Sequence, residues 1–167
     1  MLKLKTLRVL YQIHNSIMQG KLTSPEIEQI LQNQLIGRIG CSLDGKTYIV
    51  PIAFAYDGKY LYGHSQEGTK IRIMRLNPKI CFEVDEIIDM GNWRSVIVQG
   101  DYEELFGEAA RDAIQFFIKK IKPHIISERS VSSHGLGQFH LKDQSSIGSV
   151  VFRVCVKEKS GRFEKRK

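Results

Sequence analysis

Two Asp-Gly pairs, at residues 44–45 and 57–58, do most to limit how this chain can fold. Asp-Gly is a favoured tight turn between antiparallel strands, and each pair here joins two apolar stretches. The stretch between the pairs is KTYIVPIAFAY, with IGRIGCSL before it and KYLYGHS after it. The pattern predicts a three-stranded antiparallel meander.

The middle strand of this meander is apolar at both alternating sets of positions, which predicts burial on both faces. Pro51 interrupts it, because proline has no N–H to donate to a ladder. Two interpretations are open from the residues alone. The segment is either an ordinary edge strand or a groove in which a planar ligand lies against backbone without a partner strand.

The rest of the chain predicts three more strands and three helices. The first helix should begin with Ser24 as N-cap and Pro25 at its first position. The helices are predicted at residues 23–34, about 69–76 and 107–124. The further strands are predicted at KICFEVDE, NWRSVIVQGDYEELF and SVVFRVCV. We therefore expect a mainly β (α+β) fold built on a small six-stranded antiparallel barrel.

The formal net charge of +7 lies at the two ends of the chain. Residues 1–22 carry +4, residues 157–167 carry six bases and two acids, and the middle carries −1. We predict an N-terminal extension (1–22), a domain (23–156) and a basic C-terminal tail (157–167). Nucleic-acid binding is not expected, because such domains usually carry a basic face on the folded body.

The N-terminal stretch lacks the dense apolar core and the cleavage site of a secretory signal. We expect translation to start at Met18, which would make the preceding residues an upstream extension. No apolar run approaches the ~20 residues of a membrane helix. Three widely spaced cysteines without a CxxC pair predict reduced thiols in a cytoplasmic protein.

The segment HSQEGTK, residues 64–70, predicts an anion site at the start of the second helix. A helix N-terminus presents unpaired N–H groups, while Ser65, Thr69 and Lys70 add hydroxyls and a charge suited to phosphate oxygens. A plain helix cap with a solvated lysine is the alternative, and the residues alone favour it because such caps are common. Neither GxxxxGK[ST] nor GxGxxG is present.

The order of these motifs, from IGRIGCSLDGKTYIVPIAF through YLYGHSQEGTK to GNWRSVIVQG, resembles the flavin-binding split-barrel superfamily. Within it, the chain is similar to the pyridoxamine-phosphate-oxidase-related flavoproteins that include nitroimidazole-resistance proteins. The likeness covers about residues 24–106. It implies a six-stranded split β-barrel with flanking helices, bound FMN, and a homodimer with two FMN sites at its interface.

The resemblance also implies an FMN-dependent oxidoreductase that reduces small acceptors, nitroaromatic compounds among them, with electrons from NAD(P)H or another donor. Thr69 and Lys70 would hold the FMN phosphate, with Arg38 as a second cation. The isoalloxazine would lie along residues 50–52, and His64 would be the catalytic residue that delivers a proton. The implied cofactor-binding residues are Arg38, Val50, Pro51, Ile52, His64, Ser65, Thr69, Lys70, Trp93, Arg94 and Ser95.

Residues 93–95 would approach the flavin from the second subunit, although Trp93 could equally be a core anchor. Pyridoxamine-phosphate oxidation itself is not expected, because the C-terminal Trp, paired Arg and His of that enzyme are missing from GRFEKRK. A non-catalytic flavin- or haem-binding protein is one alternative. Binding of acidic partners through residues 157–167 is another.

The same barrel binds haem or a deazaflavin in other members of the superfamily. His134 and His140 could serve such a ligand, although a histidine in a loop is more often solvated. Their spacing matches no common metal site, so no metal is expected.

Overall fold

The six strands predicted from the sequence are all present in the computed structural model, which describes residues 17–124 and 149–166. A seventh strand precedes them. In chain order the elements are β1 (Ile17–Lys21), α1 (Ser24–Asn33), β2 (Ile36–Leu43), β3 (Lys46–Tyr56), β4 (Tyr60–Gln66), α2 (Thr69–Leu76), β5 (Lys79–Asp89), β6 (Asn92–Glu104), α3 (Gly107–Ile121), a short 3-10 helix (Lys122–His124) and β7 (Ser149–Arg166).

Every strand pairing is antiparallel, in the order β1-β7-β4-β3-β2-β5-β6. β6 also pairs with β7, so six strands close into a barrel and β1 adds to the far end of β7. The predicted meander is confirmed as β2-β3-β4. Asp44 and Gly45 have φ values of 49° and 74°, and a two-residue hairpin turn of type I′ requires positive φ at both positions.

The barrel interior is filled by apolar side chains that alternate along each strand. Phe54 and Phe82 meet edge to face at its centre, with ring centroids 5.0 Å apart. Side chains of α1 and α2 join this core, and α3 packs a smaller cluster, which includes Phe117 and Ile121, against Ala55 of β3. No helix among the described residues is long and apolar enough to cross a bilayer.

Helix α1 is capped one residue earlier than predicted. Thr23, not Ser24, is the N-cap, and Glu26 accepts hydrogen bonds from the Thr23 N–H and hydroxyl, both at 2.7 Å. The prediction of Ser24 as the cap is wrong because the acid of a capping box stands three residues after the cap, which selects Thr23.

Strand β3 is buried along only part of its length, which corrects the prediction of burial on both faces. Ile49 is 63% exposed, and burial begins at Ile52. The reason is the strand pairing. β2 accompanies β3 from Lys46 to Ala53, but β4 pairs only with Phe54–Tyr56.

Strand β7 continues well beyond its predicted end at Val156. Residues 157–166, predicted to be a tail, extend the strand beside β6, and residues 162–166 also pair with β1. In this part of the strand the buried position is a glycine, Gly161, and most of its neighbours are charged. The sequence therefore shows no apolar alternation that would predict a strand. The hypothesis of a start at Met18 concerns residues 1–17, of which the structure describes only Ile17, in β1.

Candidate functional site

The barrel wall opens between β3 and β4. Their pairing covers only three residue pairs, the last of which joins Phe54 to Gly63. One further pair in this register would place Ala53 opposite His64, but the strands separate there. β3 stays with β2 and β4 stays with β7. We call this opening the split.

The backbone of β3 at the split follows from one hydrogen bond. The Phe54 N–H donates to the Leu35 carbonyl at 2.9 Å, on the side of β2. Because backbone groups alternate in direction along an antiparallel strand, Val50 and Ile52 also point their N–H and C=O groups toward β2. The backbone of residue 51 points the other way, so Pro51 presents its carbonyl to the split. An N–H at this position would also point into the split, where no strand is paired, so the proline removes no hydrogen bond from the ladder. Of the predicted residues 50–52, only Pro51 therefore offers a backbone acceptor to a ligand in the split.

His64 lies on β4 at the edge of the split and is 5% exposed. Its Nε2 is hydrogen-bonded to Ser149 Oγ on β7. Burial, and secondarily the charge of Lys70, lowers the pKa of His64 to about 4. The ring is therefore uncharged at neutral pH, so it can hydrogen-bond but carries no imidazolium proton to deliver.

Lys70 lies in the first turn of α2, is half-buried, and is close enough to His64 and Cys41 to act on both electrostatically. Burial lowers the pKa of Lys70. Several basic side chains elsewhere on the barrel form ion pairs: Arg38, Arg75, Lys79, Arg94, Arg153, Lys157 and Lys159. Among the described residues, no carboxylate is within 4.0 Å of the Lys70 ammonium. A partly desolvated cation of this kind favours a bound anion.

The N-terminus of α2 adds hydrogen-bond donors beside Lys70. Its N-cap is Gly68, which has no side chain to cap the helix, so the N–H groups of residues 69–71 have no partner within the helix. The exposed Thr69 lines an open groove of about 440 Å³ together with Glu67, Arg72 and Arg75, and Lys70 is not one of its lining residues. Ser65 is buried, and its hydroxyl donates to the Gln66 carbonyl at 2.8 Å.

Arg38 lies on the outer face of the barrel, where it is already paired with acids. Its Nη1 is 2.9 Å from Glu83 and 2.6 Å from Asp85, and these carboxylates raise the pKa of Arg38. Ser95 donates to the same Glu83 carboxylate at 3.0 Å. Arg38 and Glu83 line a groove of about 710 Å³ that also includes Ile49.

Trp93 and Arg94 line a different pocket, of about 400 Å³, between β1, β6 and β7. Arg94 is ion-paired with Glu86 through its Nε at 2.9 Å as well as through Nη2. Trp93 is only partly buried, so it is not a central core anchor. Within one chain these two residues are apart from the split.

A family model described as pyridoxamine 5'-phosphate oxidase matches residues 23–162. The chain belongs to this family. The predicted resemblance is thereby confirmed, and so is the split-barrel fold. A protein family shares a fold and an ancestry, so membership does not assign the oxidase reaction.

One solved structure supports this membership, and a second shows the same fold. The chain is 33% identical to an FAD-binding protein of Mesorhizobium loti, with 87% of this chain and 98% of that chain covered and a TM-score of 0.62. It is 21% identical to a putative 5-nitroimidazole antibiotic resistance protein of Bacteroides thetaiotaomicron, covering 89% and 90% of the two chains at a TM-score of 0.63. The second likeness shows the fold alone.

An uncharacterized protein of Rhizobium meliloti is 43% identical over 70 residues. The match covers 42% of this chain and 46% of that protein, so it spans less than half the length of the relative.

The structure thus brings His64 and Lys70 close together beside the split. Ser65 projects from the opposite face of β4 to His64, and Thr69 lines the neighbouring groove at the start of α2. Ser149 is hydrogen-bonded to His64 and was missed from the sequence, because nothing local in SVVFRV marks its pairing with a histidine 85 residues away. His134 and His140, predicted as alternative ligands, lie outside the described residues.

Proposed function

We propose that this protein binds FMN in the split and acts as an FMN-dependent oxidoreductase. The observation that carries the proposal is Lys70, a half-buried cation beside the split with no carboxylate partner among the residues described. The description of the Mesorhizobium loti relative as an FAD-binding protein supports a flavin as the ligand. FMN is the form proposed, since a helix N-terminus with a lysine in its first turn suits a single terminal phosphate.

The residues present fit such a cofactor. Lys70 would hold the phosphate together with the Thr69 hydroxyl and the free N–H groups of the first turn of α2. The ring would lie along the open edge of β3, where the Pro51 carbonyl is free to accept a hydrogen bond. Bound flavin supplies the electron transfer, and the protein supplies binding and electrostatics. His64 would contact the ring as the catalytic residue, in the role of an uncharged hydrogen-bonding group.

We also propose that the site is completed in a homodimer. Residues 93–95 do not reach Lys70 within one chain, so they would contribute only from a second copy. Ile49 is 63% exposed and Ile88 is 85% exposed, and large exposed apolar side chains on two surfaces support self-association. The substrates would be a small electron donor such as NAD(P)H and a small acceptor such as a nitroaromatic compound, in the cytoplasm.

The first test is an absorption spectrum of the purified protein before and after incubation with FMN and removal of the excess. We expect flavin bands at about one FMN per chain. Because riboflavin lacks the phosphate, FMN should bind at least tenfold more tightly than riboflavin to the wild type. The variant Lys70→Ala should lose that preference, and Thr69→Ala should reduce it.

Lys119→Ala is the matched control, because Lys119 is an exposed lysine on another helix. It should bind FMN as the wild type does. If Lys70→Ala keeps its preference for FMN over riboflavin, the phosphate site is elsewhere. A protein that retains neither FMN nor FAD would contradict the flavin proposal, and a haem band would move the function to haem binding.

A non-catalytic flavin-binding protein is the second candidate, and one observation favours it. The low pKa of His64 leaves no ready proton donor at this position at neutral pH. The two candidates differ in turnover. Reduction of the bound flavin by NADH, NADPH or another donor, followed by reoxidation with a nitroaromatic acceptor, is expected of the oxidoreductase. Bound flavin without turnover with any donor favours the second candidate.

A further inference from the structure

The hydrogen bond between His64 and Ser149 connects the two strands that continue together past the split. We propose that Ser149 is a positioning residue that holds the His64 ring in one orientation at the edge of the split. The inference rests on the proposed function for its consequence, since the ring it holds would contact the flavin. It can nevertheless be tested on the ligand-free protein.

The register of β4 and β7 explains how the two side chains meet. Gln66 pairs with Ser149, and His64 pairs with Val151. Since side chains alternate between faces along a strand, His64 and Ser149 project from the same face as diagonal neighbours. A diagonal pair is too far apart for two short side chains, but a long one can bridge it. The imidazole spans the gap and reaches the serine hydroxyl.

A partner for Nε2 matters because a histidine ring has two orientations of nearly the same shape. Rotation by about 180° about χ2 exchanges nitrogen and carbon positions on the ring, so shape alone selects poorly between them. A hydroxyl beside Nε2 selects the orientation that keeps nitrogen there. The second ring nitrogen, Nδ1, then has a defined position. The hydrogen bond at Nε2 also decides which of the two nitrogens carries the proton. Uncharged His64 makes this bond without needing a counter-ion.

The first test is a double-mutant cycle on FMN affinity with Ser149→Ala, His64→Leu and the double variant, because leucine cannot hydrogen-bond the serine hydroxyl. We expect Ser149→Ala to weaken FMN binding about tenfold, the size expected for one buried hydrogen bond. It should have no further effect when His64 is already leucine, because the two residues act as a unit. The conservative variant Ser149→Thr should bind within about threefold of wild type, since it keeps the hydroxyl.

Ser160→Ala is the control on the same strand, because Ser160 is exposed and distant from His64. It should bind FMN as the wild type does. Equal losses from Ser149→Ala in the presence and absence of His64 would show that Ser149 acts independently and would overturn the inference. Wild-type affinity in Ser149→Ala would do the same.

The second test uses ¹⁵N NMR of the His64 ring without any flavin. We expect one set of ring signals in the wild type, with Nε2 shifted by its hydrogen bond, and a changed Nε2 signal in Ser149→Ala. An unchanged Nε2 signal in Ser149→Ala would overturn the inference even if FMN binds. The expected change in a protein that binds no flavin would instead keep the positioning role and reject the proposed function.

Discussion

The barrel has one long strand ladder, between β6 and β7, and one very short ladder, between β3 and β4. At the seam between β6 and β7 the ladder runs from Trp93↔Glu164 to Glu104↔Phe152, with one irregularity near Gly100. At the split, β3 and β4 share only three pairs. The long seam closes the barrel around its core. The split leaves a strand edge open and places Lys70 and His64 beside it, and this incomplete ladder is where we propose that the flavin binds.

The largest expected difference between the two sides is in stability. Phe152 on the seam is 2% exposed, and Ile49 near the split is 63% exposed. We expect Phe152→Ala to lower the free energy of unfolding by about 3–5 kcal/mol, because it leaves a cavity. Ile49→Ala should change it by less than about 0.5 kcal/mol in the monomer. Urea unfolding of both variants measures these changes. Similar losses of unfolding free energy in Phe152→Ala and Ile49→Ala would contradict the expected difference between the seam and the split.

The next effect is a pH dependence of stability at the split. The ordinary pKa of histidine is 6.5, and that of folded His64 is about 4. As the pH falls from 6.5 toward 4, the unfolded chain therefore binds a proton that the folded protein does not. The free energy of unfolding should fall by up to about 3 kcal/mol over this range from His64 alone.

Urea unfolding of wild type and His64→Gln between pH 7.5 and pH 4 isolates that contribution, because acidic groups titrate in both proteins. The wild type should lose more stability than the variant as the pH falls, with no difference in slope above pH 7. Parallel curves throughout would show that His64 is protonated as easily in the folded protein as in the unfolded one.

The smallest expected effect concerns the cation at the split. Lys70 is half-buried without a carboxylate partner among the described residues, so its charge costs stability when no anion is bound. We expect Lys70→Met to raise the free energy of unfolding of the ligand-free protein by about 0.5–1 kcal/mol. The stabilisation should vanish in saturating FMN. A ligand-free variant that unfolds more easily than wild type would mean that Lys70 has a structural role.

The sequence predicted the parts of the fold whose signals are local. Asp44-Gly45 and Asp57-Gly58 marked the meander, and residues 69–76 marked α2 within its observed bounds. β1 was missed because it is only five residues long, IMQGK, and the end of β7 was missed because charged residues there interrupt any hydrophobic period. Their partners lie far away in the chain. The Gln19 amide, for example, donates to Glu164 at 2.7 Å across 145 residues.

The candidate site likewise has parts with a local sequence signal and parts that depend on contacts between distant residues. HSQEGTK placed Ser65, Thr69 and Lys70 near a helix start, and the structure has them there. The sequence could not show that Arg38 is neutralised by Glu83 and Asp85, because that depends on the register between two strands. The site roles of all predicted residues remain predictions.

The position of β7 in the chain has a consequence for how the protein folds. β7 pairs with β4, β6 and β1, and all three are synthesised before it. Until β7 emerges from the ribosome, β4 and β6 each have an uncovered edge, and the barrel cannot close. Pairings of such long sequence separation fold slowly, and open strand edges promote aggregation. The nascent chain is therefore more prone to aggregation until β7 is in place.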